Sequence, residues 1–577
     1  MHTKKLHLFL INMLEKYSIE VFGMIPIIAY EVGLIPMTYA LGSIGIPLIR
    51  IFTKKGRIYA LYNMIIAILA CIFSIKTFIY VNEHGVVVYP FGGWPPPIGI
   101  VYVVDFLNAV YGLLATTLFL FISIYNTWYY NFVSDFSWLS TLLLLNMAGV
   151  TGCVYTGDIF NFFVMLEVLA ISSYGLVAFF KRRKWALEAS LSYAFIGALT
   201  TSFFFFGVAL LYAGYGTLNI ADIAAKAHRL NTTTLSIWSD VCTDSQCFGN
   251  IIAASATAIA FMLWTLTFEA GIFPNNYWLP SAYTEAPTPA SSIFAGIVDK
   301  VGTYGILRIF ITMFTPYGSI LMVKLLGIPF RDLILYMLSV LGLVTGFLGA
   351  IIMAVQKDIK RLLSYSTMSH IGLILMTMAC LASDNVEVFA LALTGIIFHS
   401  ITHALAESML FLGLGSLATI VNNRRIDSIQ GYGRIYPMLS TAIAIGALSL
   451  LGVAPLGGFF SKYTLFLALS SANLWHYAIL IIVISGISAI GYFKIIYSLF
   501  VQRFKEIKRA STSVVSFTCI LIALALIIIG VIYAQGRLFD LLYEGCSKVS
   551  SLEGLKEYIY TVDHSARFLS TSLGELP

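Results

Sequence analysis

The sequence predicts an all-α polytopic membrane protein, with about 14 transmembrane helices that include two inverted five-helix repeats and two broken helices. Three observations carry that prediction. Of 577 residues, 59% are hydrophobic and 11% charged, with a mean hydropathy of +0.88; a soluble protein uses roughly 25% charged residues, so a soluble enzyme is excluded. Apolar runs close to the about 20 residues that cross a bilayer recur along the whole chain. Two of those runs are interrupted by helix breakers with an ionisable neighbour.

In order, the runs cover 23–49, 58–81, 105–126, 138–155, 160–180, 189–212, 251–272, 289–314, 333–355, 362–381, 386–418, 435–460 running on to 469, 476–501 and 514–534. The run at 386–418 is long enough to be tilted or broken. Four regions follow: N-terminal helices with an outside hairpin (1–137), a first five-helix repeat (138–331), a second (332–501), and a last transmembrane helix with a tail (502–577). The residues from Arg537 onward are mixed in polarity and predict one amphipathic surface helix plus a frayed end.

Basic residues set the orientation. Arg50, Lys54, Lys55 and Arg57, then Lys181 to Lys184, Lys357, Lys360 and Arg361, Arg424 and Arg425, and finally Arg503 to Arg509 all fall in loops of one parity. These loops are placed in the cytoplasm of a multi-pass cell-membrane protein, which leaves both termini outside. Lys226, Arg229 and Arg331 dilute the contrast, and the first 20 residues can form a surface helix instead of a loop. No signal-peptide cleavage site is recognisable. The net charge of +6 therefore reports topology and lipid contact, not nucleic acid. The seven cysteines contain no Cys-x-x-Cys pair, so haem, iron–sulfur and structural zinc sites lack support and no cofactor is expected. Cys242 and Cys247 share the longest outside loop, where a disulfide and two free thiols are both open readings.

A charge at mid-bilayer costs about 2.5–3.5 kcal/mol on insertion scales, so charges inside the runs point to function. Glu167 lies mid-span in 160–180, Glu269 near the end of the seventh span, Lys300 in the eighth and His370 in the tenth. His399, His403 and Glu407 are spaced by four and share one helix stripe. Lys462 follows the break in the twelfth span, and Lys494 lies in the thirteenth. Lys494, Glu31 and Lys76 are nearer span ends and have a competing reading as paired or snorkelling groups. Zinc binding by His399 and His403 lacks a third ligand, whereas imidazoles that titrate near neutrality suit proton relay. The breaks are at Gly271 and Pro274, beside Glu269, and at Pro455, Gly457 and Gly458, just before Lys462. Each falls in the fourth helix of its five-helix unit, and an odd helix count inverts the second unit.

At 275–289 the chain reads Asn-Asn-Tyr-Trp-Leu-Pro-Ser-Ala-Tyr-Thr-Glu-Ala-Pro-Thr-Pro, followed by Phe294-Ala295-Gly296 and Lys300-Val301-Gly302-Thr303-Tyr304-Gly305. Elsewhere stand Gly92-Gly93-Trp94-Pro95-Pro96-Pro97, Gly157-Asp158-Ile159-Phe160-Asn161, Lys360-Arg361-Leu362-Leu363-Ser364-Tyr365-Ser366 and Gly457-Gly458-Phe459-Phe460-Ser461-Lys462. Over roughly residues 30 to 500 this resembles the proton-translocating antiporter-type subunits of respiratory complex I, membrane-bound hydrogenase-type complexes and Mrp cation/proton antiporters, the Mrp D and hydrogenase branch most. The resemblance implies that Glu167 is the acid of the fifth helix, Lys300 the lysine of the eighth, His370 and His403 central-axis histidines, and Lys462 the lysine of the broken twelfth. Three positions depart from the pattern. Glu269 and Glu407 stand where the family usually has lysine, and Ser192 where many members have another. Two acids in the first half imply a changed proton path or transient Na⁺ near Glu167 and Glu269, with no resident metal, or else an inactive half.

The function expected is ion translocation, H⁺ and/or Na⁺, by a subunit embedded among other membrane subunits, with any electron transfer carried by those partners. The alternatives are a stand-alone secondary transporter of a small solute, because broken helices also bind organic anions, and a transport-silent structural subunit.

Overall fold

The computed structural model describes residues 29–230, 251–501 and 510–574. The expected N-terminal surface segment, the Cys242/Cys247 pair and most of the last basic loop lie outside the described residues.

The chain opens with α1 (Tyr30–Phe52) and α2 (Gly56–His84), then a hairpin of β1 (Val87–Pro90) and β2 (Val101–Val104), then α3 (Phe106–Tyr129). The first five-helix unit follows. It comprises α4 (Phe136–Tyr155), α5 (Ile159–Val177), α6 (Lys184–Tyr215), the short buried helix α7 (Ile220–Ala227), the broken pair α8 (Ile251–Glu269) and α9 (Trp278–Glu285), and the pieces α10 (Thr288–Ile293) and α11 (Asp299–Arg308). A two-residue hairpin, β3 (Lys324–Leu325) with β4 (Ile328–Pro329), leads to the second unit. That unit holds α12 (Phe330–Val355), α13 (Ile359–Thr377), α14 (Val386–Val421), the short α15 (Tyr432–Ile435), the broken pair α16 (Pro437–Leu451) and α17 (Gly457–Ser471), and α18 (Trp475–Phe500). The chain closes with α19 (Ser513–Ala534), α20 (Arg537–Ser550) and α21 (Leu552–Gly574).

Among the described residues, twelve helices are long and apolar enough to cross a membrane, against the fourteen expected. The other two expected spans are built differently. Residues 288–313 carry π-helical turns at Phe294–Val298 and Ile309–Met313, and the twelfth expected span is two 15-residue helices. The 386–418 run is neither broken nor short: α14 is one helix of 36 residues, about 54 Å at about 1.5 Å per residue. That exceeds the about 30 Å hydrocarbon core of a bilayer, and the helix avoids mismatch by being enclosed in protein over most of its length. The tail forms two helices instead of one, divided at Ser551.

Two aspartates occupy matching positions in the two stretches of chain. Asp158 caps α5 by accepting from Asn161 N at 2.8 Å and bridges to Asn219. Asp358 caps α13 by accepting from Arg361 N at 3.1 Å and bridges to Arg425. Each opens the second helix of its unit, where an Asx cap satisfies an orphan N–H. Yet Asp158 is on the hairpin face, where Tyr102 bridges to Thr156, and Asp358 is on the opposite face, paired with Arg424 at 3.2 Å. The basic loops meet on that second face: Arg50 pairs with Asp135, and Arg424 with Glu285.

Arg331 is not a loop charge. It is fully buried and donates to the carbonyls of Phe310, Phe314 and Leu381 as well as to Asp332, clamping the end of the second π turn. Lys226 likewise pairs with Asp222 at 3.1 Å and donates to Tyr215 O at 2.9 Å. Both explain why the charge contrast between the faces looks diluted in the sequence.

Candidate functional site

The break after α8 centres on Gly271, whose φ of +67° is a left-handed conformation that an L side chain rarely adopts. The second break begins earlier than Pro455, at Gly452 with φ +92°, where the Gly452 and Val453 N–H groups both donate to Leu448 O. At Gly458 a side chain would run into the backbone carbonyl of Ser449, so only glycine lets the two half-helices approach. The freed carbonyls at the end of α16 are taken by Lys462, whose Nζ donates to Leu450 O at 2.6 Å and Leu451 O at 3.4 Å. A cation there also meets the negative end of the helix dipole.

Beside Lys462 begins a continuous chain of hydrogen bonds through four helices. Ser461 Oγ lies 3.0 Å from His399 Nδ1, and His399 Nε2 lies 3.1 Å from His370 Nδ1. The Tyr492 hydroxyl is 2.9 Å from His370 Nε2 and 2.6 Å from Ser366 Oγ. Ser366 donates to Glu407 Oε2 at 3.0 Å, and Thr367 to Oε1 at 3.3 Å. Glu407 is fully buried. With Ser366 committed to the carboxylate, one orientation satisfies every link: Thr402 donates to Ser461, Ser461 to His399, His399 to His370, His370 to Tyr492, and Tyr492 to Ser366. His403 completes the imidazole cluster, its ring 4.8 Å from that of His370. Both its ring nitrogens are unbonded, and Nε2 lies 4.0 Å from Glu407 Oε2.

Lys300 lies on the other flank. Its Nζ donates to Asp299 Oδ1 and Oδ2 at 2.8 and 3.0 Å, and to Ala295 O at 2.8 Å. Lysine and aspartate are both fully buried. Ala295 belongs to the first π turn, a feature that recurs at functional sites. Lys300 is within electrostatic reach of Glu407, and both Lys300 and Lys462 are within reach of the imidazoles.

Glu269 and Glu167 form a separate cluster in the first unit. Glu269 is fully buried with neither oxygen bonded, Glu167 is half-buried, and their charges act on one another. Tyr283, whose hydroxyl donates to Phe294 O at 3.0 Å, is within reach of Glu269, Asp299 and Glu407 and so stands between the clusters. A cavity of about 470 Å³ opens on the basic face. Ser192, Ser281, Glu285 and Trp278 line it; the Trp278 ring stacks on Tyr193 at 3.9 Å, and Tyr193 is in turn within electrostatic reach of Glu269.

Lys494 stands apart. Its Nζ donates to Ala354 O and Gln356 O at 2.6 and 3.0 Å, closing the C-terminus of α12. Sequence reasoning misses Asp299, Ser366, Tyr492 and Ser461. Asp299 is visible beside Lys300, but the hydroxyls have no local signature. Among the described residues no group of three His, Cys, Asp or Glu side chains could hold a metal ion.

Many apolar helices, two of them broken beside buried titratable groups, define an antiporter-type ion-translocating membrane subunit. Residues 156–488 match the model of the NADH:quinone oxidoreductase/Mrp antiporter membrane family. The chain is 30% identical over 395 residues to the D component of the Na⁺/H⁺ antiporter of Alkalihalophilus pseudofirmus, covering 68% of this chain and 72% of that one. It is 31% identical over 419 residues to the N component of the NADH-quinone oxidoreductase of Desulforudis audaxviator, covering 72% and 75%. Its fold superposes with a TM-score of 0.78, at 26% identity and over 92% and 99% of the two chains, on a chain of the membrane-bound sulfane sulfur reductase, an archaeal respiratory membrane complex. The chain belongs to the NADH:quinone oxidoreductase/Mrp antiporter family.

Proposed function

We propose that this chain moves protons, or exchanges protons for sodium ions, as a subunit of a multi-subunit membrane complex, and that the second unit carries the proton. The observation that supports this reading is the unbroken chain from Ser461 to Glu407. Each member both donates and accepts, so an excess proton delivered at the Lys462 end is handed link to link and emerges on Glu407 while every bond reverses. Imidazoles suit such relay because one ring nitrogen donates while the other accepts. Lys300 and Asp299, beside Glu407, form a second proton-exchanging pair whose opening and closing changes the affinity at the receiving end.

The neighbouring subunits supply the driving reaction, and this chain carries no redox group of its own. The basic loops face the cytoplasm of a cell membrane and the termini lie on the other side, following the cationic bias of one face.

The test uses the native complex in sealed vesicles with a pH-sensitive dye. His399→Ala removes the central link and is expected to lower proton flux by about 10²-fold or more, the usual worth of a positioned proton-transfer group. Unchanged flux in that variant would remove the wire.

A further inference from the structure

Four buried or half-buried polar groups in the first unit do not fit a proton wire. Both oxygens of Glu269 are enclosed and unbonded. The Tyr174 hydroxyl is enclosed and unbonded, and it lies within electrostatic reach of both Glu269 and Glu167. Its ring packs edge-on against Tyr193 at 4.7 Å, and Ser173, within reach of the Tyr193 hydroxyl, accepts from Asn146 Nδ2 at 2.9 Å. Asn146 is itself fully buried, and its Oδ1 also lacks a partner. Buried acceptors are almost always satisfied, so orphans grouped in one place ask for an occupant.

Charge says which occupant. Among the described residues, the charge acting on Glu269 is that of Glu167, with no ammonium or guanidinium beside it. Two carboxylates in a low-dielectric interior require a countercharge. Carboxylate, phenol and amide oxygens are hard donors, suited to alkali or alkaline-earth cations and not to soft metals. A path through the membrane needs an ion that also leaves, and a singly charged ion is held less tightly by two acids than a doubly charged one.

We propose that Glu269 and Glu167, with the Tyr174 hydroxyl, form a binding site for a sodium ion, the cation supplying the countercharge that the two acids lack. Glu167 is half-buried, and the Tyr193–Trp278 stack lies between the site and the cavity on the basic face. The site rests on the reading of this chain as an ion-translocating subunit, which the following experiment separates from it.

Native membranes are treated with dicyclohexylcarbodiimide, which modifies buried carboxyl groups in their protonated form, in sodium chloride or in the same concentration of choline chloride. Modification of Glu269 is followed by peptide mass spectrometry. Sodium is expected to slow it about tenfold once the salt exceeds the dissociation constant by about tenfold. Glu167→Gln is expected to weaken that protection, and Glu269→Gln to abolish the modified peptide. Equal rates in the two salts overturn the site. If rates are equal while His399→Ala still loses proton flux, the cation site falls and the wire stands. If sodium protects while His399→Ala keeps its flux, the wire falls and the site stands.

Discussion

Lys462 and Lys494 perform the same local act, each donating to two carbonyls at a helix end, yet only one is built into the polar axis. Lys462 follows Ser461, the first link of the chain, whereas Lys494 is half-exposed at the end of α12 with no imidazole beside it. Sequence does not separate them, because a lysine inside an apolar run looks the same whether it caps a helix or feeds a relay. It does single out His370, His399, His403 and Glu407, since charges and imidazoles are rare in such runs. Tyr492 and Ser366 are hidden for the opposite reason: hydroxyls are common in membrane helices, and their partners lie 122 and 41 residues away. Two substitutions separate the roles. Tyr492→Phe keeps the ring and deletes the link between His370 and Ser366; proton flux in vesicles should fall by about tenfold or more, with thermal stability little changed. Lys494→Met should leave flux intact and lower stability by about 0.5–1.5 kcal/mol, the net worth of a part-buried hydrogen bond, read as a slightly earlier thermal transition of the purified complex.

At the scale of the element, the breaks are the most legible feature, because glycine and proline mark them in any chain. Their boundaries are less so: the second break starts at Gly452, where a left-handed residue ends α16 three positions before the proline that draws attention. The π turns around Lys300 are not legible at all, since a one-residue widening leaves apolar periodicity almost unchanged. Outside the spans, α7 illustrates an element held by a titratable group. His228 Nδ1 lies 2.7 Å from Ala224 O, and its Nε2 lies 2.8 Å from Thr315 Oγ1. Burial holds the imidazole below its ordinary affinity for protons. The folded form therefore binds fewer protons than the unfolded one, so its contribution to stability is complete above the ordinary imidazole range and is lost as pH falls through it. Limited proteolysis around residues 220–228 should speed up on acidification from neutral pH, and His228→Gln should flatten that dependence.

Over the whole molecule, two ion pairs show what distance from water does. Arg308 donates to Asp105 at 2.7 and 3.0 Å and to Asn108 at 2.9 Å, joining α11 to the start of α3 with both charges buried. Arg50 and Asp135 meet at 3.3 Å with both side chains more than a third exposed. Removing one partner of a buried pair strands the other, a loss of about 3–5 kcal/mol, whereas an exposed pair is worth about 0–1 kcal/mol. Thermal unfolding of the solubilised complex should therefore drop sharply for Arg308→Ala and hardly move for Arg50→Ala. The overall architecture is readable because lipid imposes helix length. What brings particular side chains together across helices is tertiary, and no local pattern encodes it.

The C-terminal helices add one more consequence. Glu557 accepts from Val86 N at 3.1 Å, the Tyr317 hydroxyl donates to Ser550 O at 2.7 Å, and the Tyr558 ring sits 5.6 Å from the Arg308 guanidinium. The helices α20 and α21 thus close over a hairpin made far earlier in the chain, Val86 and Glu557 being 471 residues apart, so that side of the protein sets only once both have been synthesised. Without α20 and α21, Val86 N, the Tyr317 hydroxyl and the Arg308 side chain would each lose a partner, and that side would stand open.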